Sequence, residues 1–140
     1  MEVEFLILAD AVDQVGGKLY MLGGGWTQWR SSSYPAQVRV GFAISLRIDW
    51  EETNVRHPVI LEILDADGIA VVPAITAQVE AGRPTGIVAG TPQRAILALN
   101  ANFPLPRPGR YEVRAKAGTA LPRVVIFDAV LTGGALIQPG

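Results

Sequence analysis

The chain has 140 residues, 49% hydrophobic and 18% charged, with twelve basic against thirteen acidic side chains and a formal net charge of −1. That length and apolar content suit one folded domain with a real core and exclude a disordered chain, and the near-neutral balance argues against non-specific binding to nucleic acid or an anionic membrane, which needs a basic patch. No cysteine is present, which removes disulfide scaffolds, zinc-thiolate and iron–sulfur sites and a Cys nucleophile.

Residues 2–12 alternate on one side through Val3, Phe5, Ile7, Ala9 and Ala11, while Leu6 and Leu8 fill the other. The segment is either a strand buried on both faces or a strand running into a helical turn at 9–14. No basic n-region precedes its apolar run, so a signal peptide is not expected, and no stretch approaches the roughly 20 apolar residues of a membrane span. The expected location is the cytoplasm. Gly16-Gly17 then marks a hairpin into a short strand at 18–22. Pro35 opens the clearest element: in 37–50, Val38, Val40, Phe42, Ile44, Leu46, Ile48 and Trp50 alternate with Gln37, Arg39, Gly41, Ala43, Ser45, Arg47 and Asp49. Unbroken period two predicts a long strand with one buried face. Its other row is small and weakly polar, as expected of a face that packs on a second sheet or a second copy of the chain.

Further strands are predicted at 58–64 and 69–72, flanking the turn Asp65-Ala66-Asp67-Gly68, with 75–80 continuing the second of these after Pro73, and at 94–103, 110–117 and 123–131. In 110–117, Tyr111, Val113, Ala115 and Ala117 alternate with Arg110, Glu112, Arg114 and Lys116. Pro108-Gly109-Arg110-Tyr111 delivers a Tyr on the inward phase at a strand start, as immunoglobulin-like sandwiches often do. Turn signals separate the runs, no amphipathic helix is visible, and residues 133–140 look like a loose tail after a single domain at 1–132. The expected fold is all-β: an antiparallel β-sandwich of about eight strands, immunoglobulin-like or jelly-roll-like.

The stretch Gly23-Gly24-Gly25-Trp26-Thr27-Gln28-Trp29-Arg30, reaching Tyr34, is the most unusual. A phosphate loop would need a G-K-[ST] or G-x-G-x-x-G pattern leading into a helix, and neither is present. The three glycines therefore read as the relieved end of the short strand. Trp26, Trp29, Arg30 and Tyr34 are candidate binding residues, since Trp and Arg are enriched at recognition hot spots. The competing reading is a long loop folding its rings over an open end of the core.

Asp65-Ala66-Asp67-Gly68 starts like a calcium loop, but the place of the closing Glu is held by Thr76, and Asp67-Gly68 is a favoured turn pair. His57 is the sole histidine, held extended before Pro58 and preceded by Glu51 and Glu52. An acid–base site there is outweighed by a mixed-charge surface loop. No catalytic residue, metal or cofactor is expected.

Phe5-Leu6-Ile7-Leu8-Ala9-Asp10 followed by Gly17-Lys18-Leu19-Tyr20-Met21-Leu22-Gly23 resembles a widespread bacterial family of small proteins catalogued as a domain of unknown function. Pro35 before a long alternating strand, Asp65-Ala66-Asp67-Gly68 and Pro108-Gly109-Arg110-Tyr111 match the same order. The resemblance implies the all-β fold and no activity. It makes Asp10 and Lys18 the most pointed polar pair, placed to form a cross-strand ion pair or to cap a turn. The expected function is a non-catalytic binding or protein–protein interaction module, with self-association among its options. The alternative is a small-molecule-binding or enzymatic sandwich in which the 26–34 loop works with His57.

Overall fold

The structure is a computed structural model, and it describes residues 1–133. Of the tail at 133–140, all but Gly133 lies outside the described residues. The chain is all-β. Ten strands run in order β1 (Glu2–Ala9), β2 (Ala11–Val15), β3 (Lys18–Leu22), β4 (Gln28–Ser31), β5 (Ala36–Ile48), β6 (His57–Leu64), β7 (Ile75–Val79), β8 (Gln93–Leu105), β9 (Gly109–Ala117) and β10 (Arg123–Leu131). They form a three-stranded sheet β1-β5-β8, a five-stranded sheet β4-β10-β9-β6-β7, and the separate hairpin β2-β3.

The long alternating strand is β5. Its row Val38, Val40, Phe42, Ile44, Leu46 and Ile48 is buried, each residue at most 1% exposed. These side chains share one buried cluster with Leu61, Ile63, Tyr111, Val113 and Phe127 of the five-stranded sheet. Transfer of that apolar row from water, at about 25 cal/mol per Å², dominates what holds the sheets together. The strand stops at Ile48, and Trp50, expected on it, instead opens a single 3-10 turn, Trp50–Glu52, with the Arg83 guanidinium 4.1 Å above its ring.

The two-sided pattern at 2–12 has a geometric cause. The β1–β5 register shifts between Val3 and Phe5, a bulge that turns Val3 to the same side as Leu6 and Leu8. Phe5, Ile7 and Ala9 then face the opposite side, where with Val12, Leu19, Ala43 and Ala98 they build a second cluster. The β2–β3 hairpin, turning at Gly16-Gly17, covers that side. No helical turn forms at 9–14; the chain bends at Asp10 and re-enters strand.

The middle of the outer row of β5, at Gly41 and Ala43, is thus covered by the hairpin, while Gln37, Arg39 and Arg47 stay exposed. Gly41 is where the two backbones meet: a Cβ there would lie 3.0 Å from the Val12 amide nitrogen and 3.1 Å from the Ala11 carbonyl carbon. Asn100 of β8 fastens the hairpin from the side. Its Oδ1 accepts the Val12 N–H at 3.0 Å and its Nδ2 donates to the Val12 carbonyl at 2.9 Å. One amide side chain does here what a neighbouring strand does elsewhere.

Three expectations need correction. Among the described residues the strands number ten, not about eight, because β1 and β2 are separate and β4 forms inside the stretch read as a loop. The pairing is not wholly antiparallel: β4 lies parallel to β10, from Gln28 opposite Asp128 to Ser31 opposite Leu131. The run 69–72 is no strand; it contributes one bridge, Leu64 to Ala70, and β6 pairs with β7 instead. The 65–68 turn does form, closed by the Gly68 N–H on the Asp65 carbonyl at 3.0 Å.

Tyr111 behaves as its position predicts. Its hydroxyl donates to the Arg107 carbonyl at 2.6 Å, and its ring stacks on Phe127 with centroids 5.4 Å apart. It ties the start of β9 to the turn before it.

Candidate functional site

The chain leaves β3 through Gly23, whose φ of +60° is one that side chains rarely adopt. The tightness has a reason. A Cβ at Gly23 would sit 2.3 Å from Asp10 Oδ2, and the Asp10 N–H reaches the Leu22 and Gly23 carbonyls at 3.0 and 3.2 Å. The Gly25 N–H then donates to the Leu8 carbonyl at 2.7 Å. The glycines are a fold-back against the end of β1, and no helix follows them.

β4 comes next and turns alternate residues to opposite sides. Trp29 points towards the main core, while Gln28 and Arg30 are exposed, the Arg30 guanidinium donating to Gln28 Oε1 at 2.8 Å. Trp26 lies edge-on to Phe127, with centroids 5.6 Å apart at 82°, and tilted against Trp29 at 5.6 Å. Its indole N–H is buried and unpartnered. Tyr34 donates its hydroxyl to the Val130 carbonyl at 3.0 Å, and burial pushes its phenol pKa up.

Asp10, residues 23–26, Gln28, Trp29 and Arg30 line an open cleft of about 570 Å³. Of the four candidate residues, Trp26, Trp29 and Arg30 meet there. Tyr34 does not line it; it stands behind, tying the chain after β4 to β10. Trp26 and Trp29 pack against the main core and also line the cleft. Besides the three glycines, Asp10 and Gln28 are the lining residues absent from the expected set. Asp10 had a signal in its place just before the hairpin. The signal for Gln28 is visible only once 28–31 is known to be a strand.

Asp10 and Lys18 do not pair. Lys18 sits opposite Val15 at the turn of the hairpin, whereas Asp10 lies beyond the Ala11–Leu22 pair at its open end. His57 is also apart from the cleft: its Nε2 is 2.7 Å from the Glu52 carbonyl oxygen, beside the 3-10 turn. Asp65 is saturated within its turn. Its Oδ1 accepts the Asp67 and Ile69 N–H groups, both at 2.9 Å, and its Oδ2 accepts from Arg107 at 3.0 Å. The Ile69 amide, with those other donors, holds its carboxyl below the usual carboxylate range. Among the described residues, no group of three or more His, Asp or Glu side chains is placed to hold a metal ion, and no helix is long and apolar enough to cross a membrane.

Fold and site together define an all-β protein with an aromatic-floored cleft at one end of its core. The chain belongs to a family of unknown function, DUF6941, whose profile matches residues 4–122. No curated protein is found to match it. Among solved structures, a beta-glucosidase from Listeria innocua in complex with gluconolactone is similar over 74% of this chain, at 8% identity and a TM-score of 0.40. This chain spans 14% of that enzyme's length, and a likeness at this level carries no functional statement.

Proposed function

We propose that this protein is a non-catalytic β-sandwich binding module whose recognition end is the cleft formed by Asp10, Trp26, Gln28, Trp29 and Arg30. The two large sheets enclosing one core support the sandwich, and the Tyr111 corner favours an immunoglobulin-like over a jelly-roll-like arrangement. The observation that carries the reading is the composition of the cleft. Two indoles line it, Trp26 set edge-on against Phe127 and Trp29 tilted against Trp26, and its titratable side chains are one carboxylate, Asp10, and one guanidinium, Arg30. Together with Gln28, these groups suit orienting a ligand over an apolar floor. They offer no nucleophile beside a base.

The test is saturable quenching of tryptophan fluorescence. The full chain is titrated with a panel of saccharides, nucleosides and amino acids, beside Arg30→Ala and Asp10→Asn. At least one class is expected to saturate in the native chain and to weaken about tenfold in the variants, as loss of a charge-assisted contact does. Equal binding by native chain and variants, or no saturable signal from any class, overturns the reading.

A further inference from the structure

The sheet edges of this fold are not alike. An unpaired edge invites another strand, and proteins blunt such edges with charge, bulges, short length or cover. β1 carries Glu2 and Glu4 and a bulge, and the Arg123 guanidinium donates to the Glu4 carbonyl oxygen. β4 has four residues and β7 has five. β8 has thirteen, paired with β5 along its whole length without a register shift, and among the described residues no strand lies on its other side.

Its sequence protects only the two ends, with Arg94 and Pro104. Between Arg94, whose guanidinium is held by Glu4 at 2.6 and 3.1 Å, and Pro104, the run 95–103 carries no charge. Leu97 and Leu99 pack against the main core yet stay half-buried, since the sheet ends with them. Every second residue of this strand turns its N–H and C=O outward.

A second observation lies alongside. Where Asn100 grips the hairpin, Ala11–Asp13 and Tyr20–Leu22 wall a cleft of about 570 Å³. Tyr20 is 54% exposed and Leu22 is 72% exposed, on the outward face of the hairpin. The bare edge and the exposed apolar patch are continuous at Asn100.

We infer that a second copy of this chain pairs antiparallel on the β8 edge, joining two three-stranded sheets into one six-stranded sheet, β1-β5-β8-β8-β5-β1. The edge is self-complementary. Pairing centred on Leu99 sets Ile96 opposite Asn102, Leu97 opposite Ala101 and Ala98 opposite Asn100, with no like charges facing. The two-fold axis stands perpendicular to the sheet, so both hairpins fall on one face and the Tyr20 and Leu22 patches meet beside the new strand pair. The uncharged run is about 30 Å long and about 10 Å deep, or about 300 Å² per copy and about 600 Å² for the strand pair. Tyr20 and Leu22, both more than half exposed beside it, add apolar area to that. This surface is distinct from the aromatic cleft and does not rest on it.

The test is the mass of the full chain by light scattering or sedimentation at about 100 μM, above the micromolar range expected of a small interface. The native chain is expected to be a dimer. Ile96 is outside both buried clusters and Asn102 is exposed. Ile96→Lys with Asn102→Lys places like charges opposite each other twice and is expected to weaken the dimer at least about tenfold. Ile96→Lys with Asn102→Glu places opposite charges there and is expected to restore it, circular dichroism confirming the same fold throughout. A native monomer overturns the inference. So does a dimer indifferent to the Lys–Lys variant, or a Lys–Glu variant no better paired than Lys–Lys.

Discussion

Gly41→Ala would push a methyl group into the base of the hairpin. The new Cβ would stand 3.0 Å from the Val12 nitrogen, 3.1 Å from the Ala11 carbonyl carbon and 3.1 Å from Val12 Cγ1. Comfortable contacts begin near 3.5 Å, so the hairpin must lift by about 0.5 Å. The Asn100–Val12 hydrogen bonds, at 3.0 and 2.9 Å, would then stretch to about 3.4 Å, near the end of their useful range. Overpacking of this kind costs about 1–3 kcal/mol. Replacing a strand glycine by alanine returns about 0.5–1 kcal/mol of backbone entropy. The expected net is a loss of about 1–2 kcal/mol, or about 3–6 °C in Tm for a chain of this size. Urea or thermal unfolding measures the global part. Hydrogen exchange at the Val12 amide measures the local part, since the hairpin can open without unfolding the sheets. Asn100→Ala should expose the same amide, and the double variant should cost less than the sum, because both changes release one hairpin. A Gly41→Ala variant of native or higher stability with unchanged Val12 protection would refute the seating described.

Tyr111→Phe removes the hydroxyl bonded to the Arg107 carbonyl and should cost about 1–2 kcal/mol by urea unfolding, with the Phe127 stack retained. Trp26→Ala should cost about 2–3 kcal/mol, below the usual toll for a fully buried Trp, because the residue is half-buried. If that variant keeps every ligand seen in the fluorescence titration, the ring is a lid on the core and no part of the site. For Asp65 the folded carboxyl titrates below its ordinary value, so its contribution is present at neutral pH and is lost as the pH falls below the usual carboxylate range. Asp65→Asn should therefore be less stable than the native chain at pH 7, and the gap should close in acid; a gap that persists there would mean that the charge is not what the turn uses.

Much of the sheet content was legible because one-face burial writes itself as period two. β5 and β9 show it residue by residue, from Val38 to Ile48 and from Tyr111 to Ala117. β1 was ambiguous for a reason the sequence does not display: the bulge before Phe5 changes its phase, and the hairpin above it makes both faces apolar. β4 was invisible because four residues joined to a sheet by a parallel partner far along the chain have no period to read. The run 69–72 had the composition of a strand and lost its place to 75–79, which reaches β6 past the turn.

The candidate site shows the same division. That residues 26–34 are unusual, that Gly23 ends a strand and that Asp10 is pointed were local facts of composition. That Asp10 lies against Gly23, that Trp26 packs on Phe127, and that the cleft gathers Asp10 with Trp26 and Trp29 are long-range facts, because nothing in a strand's periodicity says which strand lies beside it. By itself the sequence determined an all-β chain with a cysteine-free apolar core, its long central strand and its turns, since burial and turn chemistry act over a few residues. Strand order, the folding of the hairpin onto β5 at Gly41, the bare edge of β8 and the membership of the cleft were decided only in three dimensions, where contacts between residues distant in the chain compete for the same faces.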